Sequence, residues 1–123
     1  LMGTIRNFIK LKKLNKIIEA KVSHIKIPNE CKMEENEYLF IKKGVGDAID
    51  ISLRPIIKSI LIDEVVTENY INNSCNAFWN HVSNNVIIYL FSNNRINETQ
   101  KKELYDYIDS IKEILRESFE EIL

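Results

Sequence analysis

The sequence predicts an α/β domain: a small sheet of three to four strands flanked by helices, preceded by an N-terminal helix and a β-hairpin. An α+β arrangement of the same elements is the alternative. Three observations lead there. Residues 86–91 (VIIYLF) form a nearly all-apolar run, the pattern of a central strand covered on both faces. Residues 48–53 (AIDISL) alternate apolar and polar side chains, the period of a half-buried strand. Residues 98–122 carry Leu104, Ile108, Ile111, Leu115, Phe119 and Ile122 on one helical stripe.

The other elements follow in chain order. Residues 4–19 read as a basic amphipathic helix, with Ile5, Phe8, Ile9, Leu14, Ile17 and Ile18 near helical spacing and lysines between them. Residues 22–27 read as a short strand stopped by Pro28, and residues 28–36 as a polar loop. Residues 38–42 read as a buried strand and 43–47 as a turn around Gly44 and Gly46, so that 38–53 would form a hairpin. Proline suits a first helical turn, so Pro55 opens a predicted helix over about 55–67; a strand at 56–62 is the alternative. Residues 68–74 read as a polar loop, and Ser74 as the N-cap of a helix over 75–83. Asn93 and Asn94 break the 86–91 run. Asn97 with Gln100 three residues later has the capping-box spacing that starts the last helix. The order is strand, helix, loop, helix, strand, helix.

With 123 residues the chain has the length of a single domain, and an apolar fraction of 45% excludes disorder and fibres. The formal net charge of -1 announces no nucleic-acid partner. That charge is nonetheless segregated. Residues 1–43, the helix and its extension, carry net +5, and residues 44–123, the core, carry net -6. The opposed ends are expected to pair or to be solvated separately; an acidic half would also steer a cationic partner. AT-rich coding alone would give the 21 Ile, 14 Asn and 13 Lys, so clusters of Asn and β-branched residues carry less weight than usual.

Two cysteines, Cys31 and Cys75, make no disulfide framework. The opening segment interleaves lysine with apolar residues, unlike a secretory leader, and Met2 reads as the native start. The longest apolar run is far short of the roughly 20 residues that span a bilayer. A soluble cytoplasmic protein without membrane contact is expected.

Several chemistries fail on spacing. Gly44-Val45-Gly46 lacks the third glycine of a dinucleotide fingerprint and is read as a turn. His24, Cys31, Cys75 and His81 are four zinc donors, but their spacings are not the short pairs of zinc modules. Cys75 and His81 would lie about 240° apart on a helix, too far round for a catalytic pair. Asp47 and Asp50 are more cheaply explained as a solvated edge. No enzyme, metal or cofactor is expected.

Residues 70–82 (YINNSCNAFWNHV) carry the strongest signal. On a helix, Cys75, Phe78 and Val82 point inward, Asn76 and Asn80 share another face, Asn73 precedes the cap, and Trp79 sits on the border. A tryptophan beside side-chain amides, next to a loop with Tyr70, has the make-up of a protein-binding hot spot. The competing reading, of equal weight, is that the single tryptophan fills the core.

The pattern Tyr70 … Ala77-Phe78-Trp79, introduced by Asn-rich residues, resembles the barstar family, intracellular inhibitors of bacterial ribonucleases. That family has a tyrosine-bearing loop and then a short helix with an Asn/Asp-x-x-Ala-Leu/Phe-Trp-Asp core. The likeness covers residues 48–122. It implies that Tyr70, Asn76, Trp79 and Asn80 face the partner and that the loop and helix block a nuclease active site. The departures are specific. Asn76 and Asn80 stand where the family favours aspartates, and residues 69–97 hold no acid, so Glu68 or the last helix would have to supply the negative field. The family's final strand and any counterpart of residues 1–43 are missing.

The function expected is therefore an immunity or antitoxin protein neutralising a cognate toxin, a nuclease, through Tyr70, Asn73, Asn76, Trp79, Asn80 and Glu68. The alternatives are a nucleic-acid-binding or regulatory module using the basic N-terminal helix, and a small metal or thiol enzyme. The oligomeric state is not legible.

Overall fold

In the computed structural model, residues 2–28 and 33–123 are described, with side chains from Ile5 onward. Among them all regular structure is helical. The α/β expectation is overturned: there is no sheet among the described residues, and the predicted strands lie in helices except for part of 22–27, which is turn and extended chain. The elements are α1 (Met2–Ser23), α2 (Glu35–Leu61), α3 (Glu68–Val82), a π-helical turn (Ser83–Ile87), α4 (Ile88–Ser92) and α5 (Glu98–Ile122).

Helix α2 absorbs the predicted hairpin, turn and strand, and half of the predicted 55–67 helix. Its inward stripe is Ile41, Val45, Ala48, Ser52, Ile56 and Ile60, with Ser59 beside it, all buried. That is a helical period, but Ser52 and Ser59 interrupt it chemically, which lets the alternation of Ile49, Ile51 and Leu53 imitate a strand. Pro55 lies inside the helix, not at its start. It removes one backbone hydrogen bond, a cost of about 3 kcal/mol that burial on both sides of it offsets. Neither Gly44 nor Gly46 has a positive φ.

Helix α1 takes in residues 22 and 23 of the predicted 22–27 strand; the remainder is turn and extended chain. Leu14 and Ile18 are its core residues. The predicted 28–36 loop is described only in part, and its Cys31 lies outside the described residues.

Residues 86–91 are helical too. A short apolar run cannot distinguish a strand from a buried helix segment. Val86, Ile87 and Leu90 are buried, whereas Ile88 and Tyr89 are exposed. Ile87 stands nine residues after Phe78, so on an uninterrupted α-helix the two would face opposite ways. Both are fully buried. The π-helical turn reconciles them: its wider winding takes up an extra residue and returns Ile87 and Leu90 to the core side. Val86 then reaches α2 where Gly44 leaves room; a Cβ at Gly44 would overlap Val86 Cγ2.

Helix α5 matches its predicted pattern. Leu104, Ile108, Ile111, Leu115 and Phe119 are fully buried. The Gln100 N–H donates to Asn97 Oδ1 at 2.8 Å, and the Asn97 N–H donates to Gln100 Oε1 at 2.7 Å, closing the capping box. Helix α3 packs on α2 and α5, and α1 lies on α5 and, more lightly, on α2. The basic and acidic ends meet where Lys21 pairs with Glu121 at 3.4 Å. Asn7 ties α1 to the α2–α3 turn by donating to Asp63 Oδ1 at 2.8 Å; Asp63 sits in the left-handed region at φ 57°. No helix among the described residues is long and apolar enough to cross a membrane.

Candidate functional site on the α3–α5 face

Helix α3 begins about two turns earlier than its sequence suggests. Thr67, not Ser74, is the N-cap: its Oγ1 accepts from the Tyr70 N–H at 3.2 Å, and Ser74 is buried. Residues 68–74 are therefore helix, not loop, and Glu68 stands in the first turn, where a carboxylate favours the helix dipole. With Ile71, Cys75, Phe78 and Val82 inward, the exposed side carries Asn69, Asn73, Asn76, Asn80 and Asn84. Their spacings of four and three residues put these amides in one line.

Trp79 flanks that line on the side of α5. It is half-buried, its Nε1–H donates to Asp109 Oδ1 at 2.7 Å, and its ring packs on Tyr105 with centroids 5.5 Å apart. The Tyr105 hydroxyl shares a 2.8 Å hydrogen bond with Ser83 Oγ in the π-helical turn. Two turns back along α3, Arg116 of α5 donates to Asn72 Oδ1 and pairs with Glu113 at 3.9 Å. Asp106, Asp109 and Glu113 are exposed on α5 along this seam. The indole is thus held in one position at the surface, beside carboxylates contributed by another helix.

The six sequence-derived residues divide. Asn73, Asn76 and Asn80 are exposed on the same line, and Trp79 adjoins it. Glu68, eleven residues before Trp79, comes round to the same side about 16 Å away along the axis. Tyr70 does not join them. It lies in the first turn of α3, exposed, nine residues before Trp79 and so on the opposite side of the helix. The Tyr–Trp pairing expected from the sequence is not formed; Trp79 stands instead with Asp109 and Tyr105 of α5. Sequence reasoning missed Asn72, Ser83, Tyr105 and Arg116. It points to the last helix only as a source of negative field and does not place Asp109 at Trp79, because a contact across 30 positions leaves no local trace.

The rejected chemistries can also be placed. Cys75 is fully buried, and burial pushes its thiol up to about 11. His81 is half-buried with Nδ1 3.3 Å from Asn85 Nδ2, and His24 is exposed. Asp47 pairs with Lys43 at 2.8 Å on the outer face of α2, where Asp50 is also exposed. Among the described residues, no three His, Cys, Asp or Glu side chains gather as a metal site.

No family model, curated protein or solved structure matches this chain. The strand order that the resemblance to the barstar family implies for residues 48–122 is contradicted by the helices of that region.

Proposed function

We propose that this chain is an immunity-type protein that neutralises a cognate toxin, a nuclease, by laying its α3–α5 face over the toxin's cationic active site. The observation that supports this reading is the Trp79 indole, fixed at the surface by Asp109 and flanked by a line of exposed amides. A tryptophan already held in its rotamer loses little freedom on binding. Asp106, Asp109 and Glu113 offer charge-assisted hydrogen bonds that the amides of α3 cannot. The mechanism is occlusion: the carboxylates occupy the place of the substrate phosphate, and the indole seals the contact from water. It needs no cofactor and no catalytic group.

The test is to identify a toxin gene adjoining this one and co-express its product with this chain, scored by growth and by nuclease inhibition in a one-to-one mixture. Trp79→Ala is expected to weaken the complex by about 2 kcal/mol or more, roughly thirtyfold. Tyr70→Ala, on the other side of the helix, is expected to leave it intact. Full neutralisation by a folded Trp79→Ala variant would sink the reading.

A further inference from the structure

Half of the apolar residues that give α1 its amphipathic pattern do not face the core. Leu14 and Ile18 are buried, but Ile5, Phe8 and Ile9 are 64%, 58% and 50% exposed. Ile5, Ile9, Lys12 and Lys16 follow one another at helical spacing along the outward side, with Phe8 beside them. Lys12 Nζ lies 5.5 Å from the Phe8 ring centroid, so cation and ring share one level of the surface. A groove of about 560 Å³ runs between this part of α1 and the end of α5, lined by Ile5, Ile9 and Ile122 with Arg6, Lys10 and Lys13 around them and one acid, Glu121, which pairs with Lys21.

We propose that the N-terminal half of α1 docks on an anionic bilayer surface, with Ile5, Phe8 and Ile9 inserted among the acyl chains and the surrounding lysines on the headgroups. Charge and polarity together favour this occupant. A second copy of the chain exposes acids and apolar side chains together only over a short stretch, Leu61, Ile62, Glu64 and Val65 of the α2–α3 turn, and the dimer it would form is one outcome of the test below. A nucleic-acid duplex also matches the cations and leaves the three apolar side chains in water. An anionic bilayer satisfies both, and an amphipathic helix lies in its interface at a depth of about 5–10 Å. This surface is separate from the α3–α5 face.

The experiment is cosedimentation of the full chain with vesicles of phosphatidylcholine alone or with added phosphatidylglycerol. Binding is expected only to the anionic vesicles. Phe8→Ser with Ile9→Ser is expected to abolish it. Lys12→Glu with Lys13→Glu is expected to lower it by at least about thirtyfold, since each cation near such a surface is worth about 1 kcal/mol. Trp79→Ala is expected to bind vesicles normally, which separates this proposal from the toxin reading. Circular dichroism confirms that each variant is folded. No binding to anionic vesicles at low salt, or equal binding by wild type and both α1 variants, would overturn the proposal. So would a concentration-dependent dimer that the Phe8 variant abolishes while vesicle binding is absent, or duplex binding that survives Phe8→Ser in a chain that ignores vesicles.

Discussion

The Cys75 thiol lies in the core behind the line of amides, and its burial has a pH signature. Burial raises it from 9.0 to about 11; Tyr107 is raised from 10.0 to about 12, by burial first and then by Tyr38. Both folded groups prefer their neutral forms, so their contribution to stability is complete below the unfolded values. It is lost as pH rises, from about 9 to 11 for the thiol and from about 10 to 12 for the phenol. The urea midpoint is therefore expected to fall between about pH 8 and about pH 10.5. Cys75→Ala is expected to lose the lower part of that dependence and keep the tyrosine part. A thiol reagent should meet no reactive Cys75 until the chain unfolds. At this scale the sequence was partly legible. The inward set Cys75, Phe78 and Val82 and the border position of Trp79 follow from spacing alone. The Asp109 and Tyr105 partners depend on how α5 packs, which no local pattern encodes.

Among the elements, the two glycines of α2 make a controlled comparison. Gly46 has open space where a Cβ would stand, so Gly46→Ala is expected to stabilise by about 0.5–1 kcal/mol through helix propensity. Gly44 faces Val86, a stiff buried side chain, so Gly44→Ala is expected to destabilise by about 1–3 kcal/mol despite the same propensity gain. Thermal melts of the two single variants, shifting in opposite directions, check this. These residues also explain why α2 was misread. Glycine, serine and proline at positions 44, 46, 52, 55 and 59 are the usual marks of turns, and here they sit in a helix held by packing. Helix α5 has no such residue in its inward stripe before Ser118, and its start, cap and buried face were all readable.

For the molecule as a whole, an ion pair with a buried carboxylate and an exposed guanidinium joins distant parts of the chain. Glu37, at the start of α2, is 4% exposed and pairs with Arg95 in the turn before α5, while its Oε2 has no hydrogen-bond partner. Removing the arginine leaves a buried carboxylate uncompensated, so Arg95→Ala is expected to cost about 3 kcal/mol or more. Glu37→Met removes the buried charge and leaves an exposed guanidinium, so it is expected to cost clearly less. Urea denaturation of both variants ranks them. The segregated charge was legible in the sequence, but the fold class was not. Isoleucine dominates the apolar positions, and its β-branched side chain reads locally as strand whatever the helix packing requires.

The π-helical turn has one more consequence, for tolerance to deletion. If it holds a surplus residue, the gene can lose that codon: excising the exposed Asn84 would let Val82 run into Val86 as ordinary α-helix, with Ile87 and Leu90 still inward. The shortened protein is expected to fold and to melt close to the parent. Excising the equally exposed Asn76 has no such slack to draw on and would swing everything beyond it about 100° out of phase.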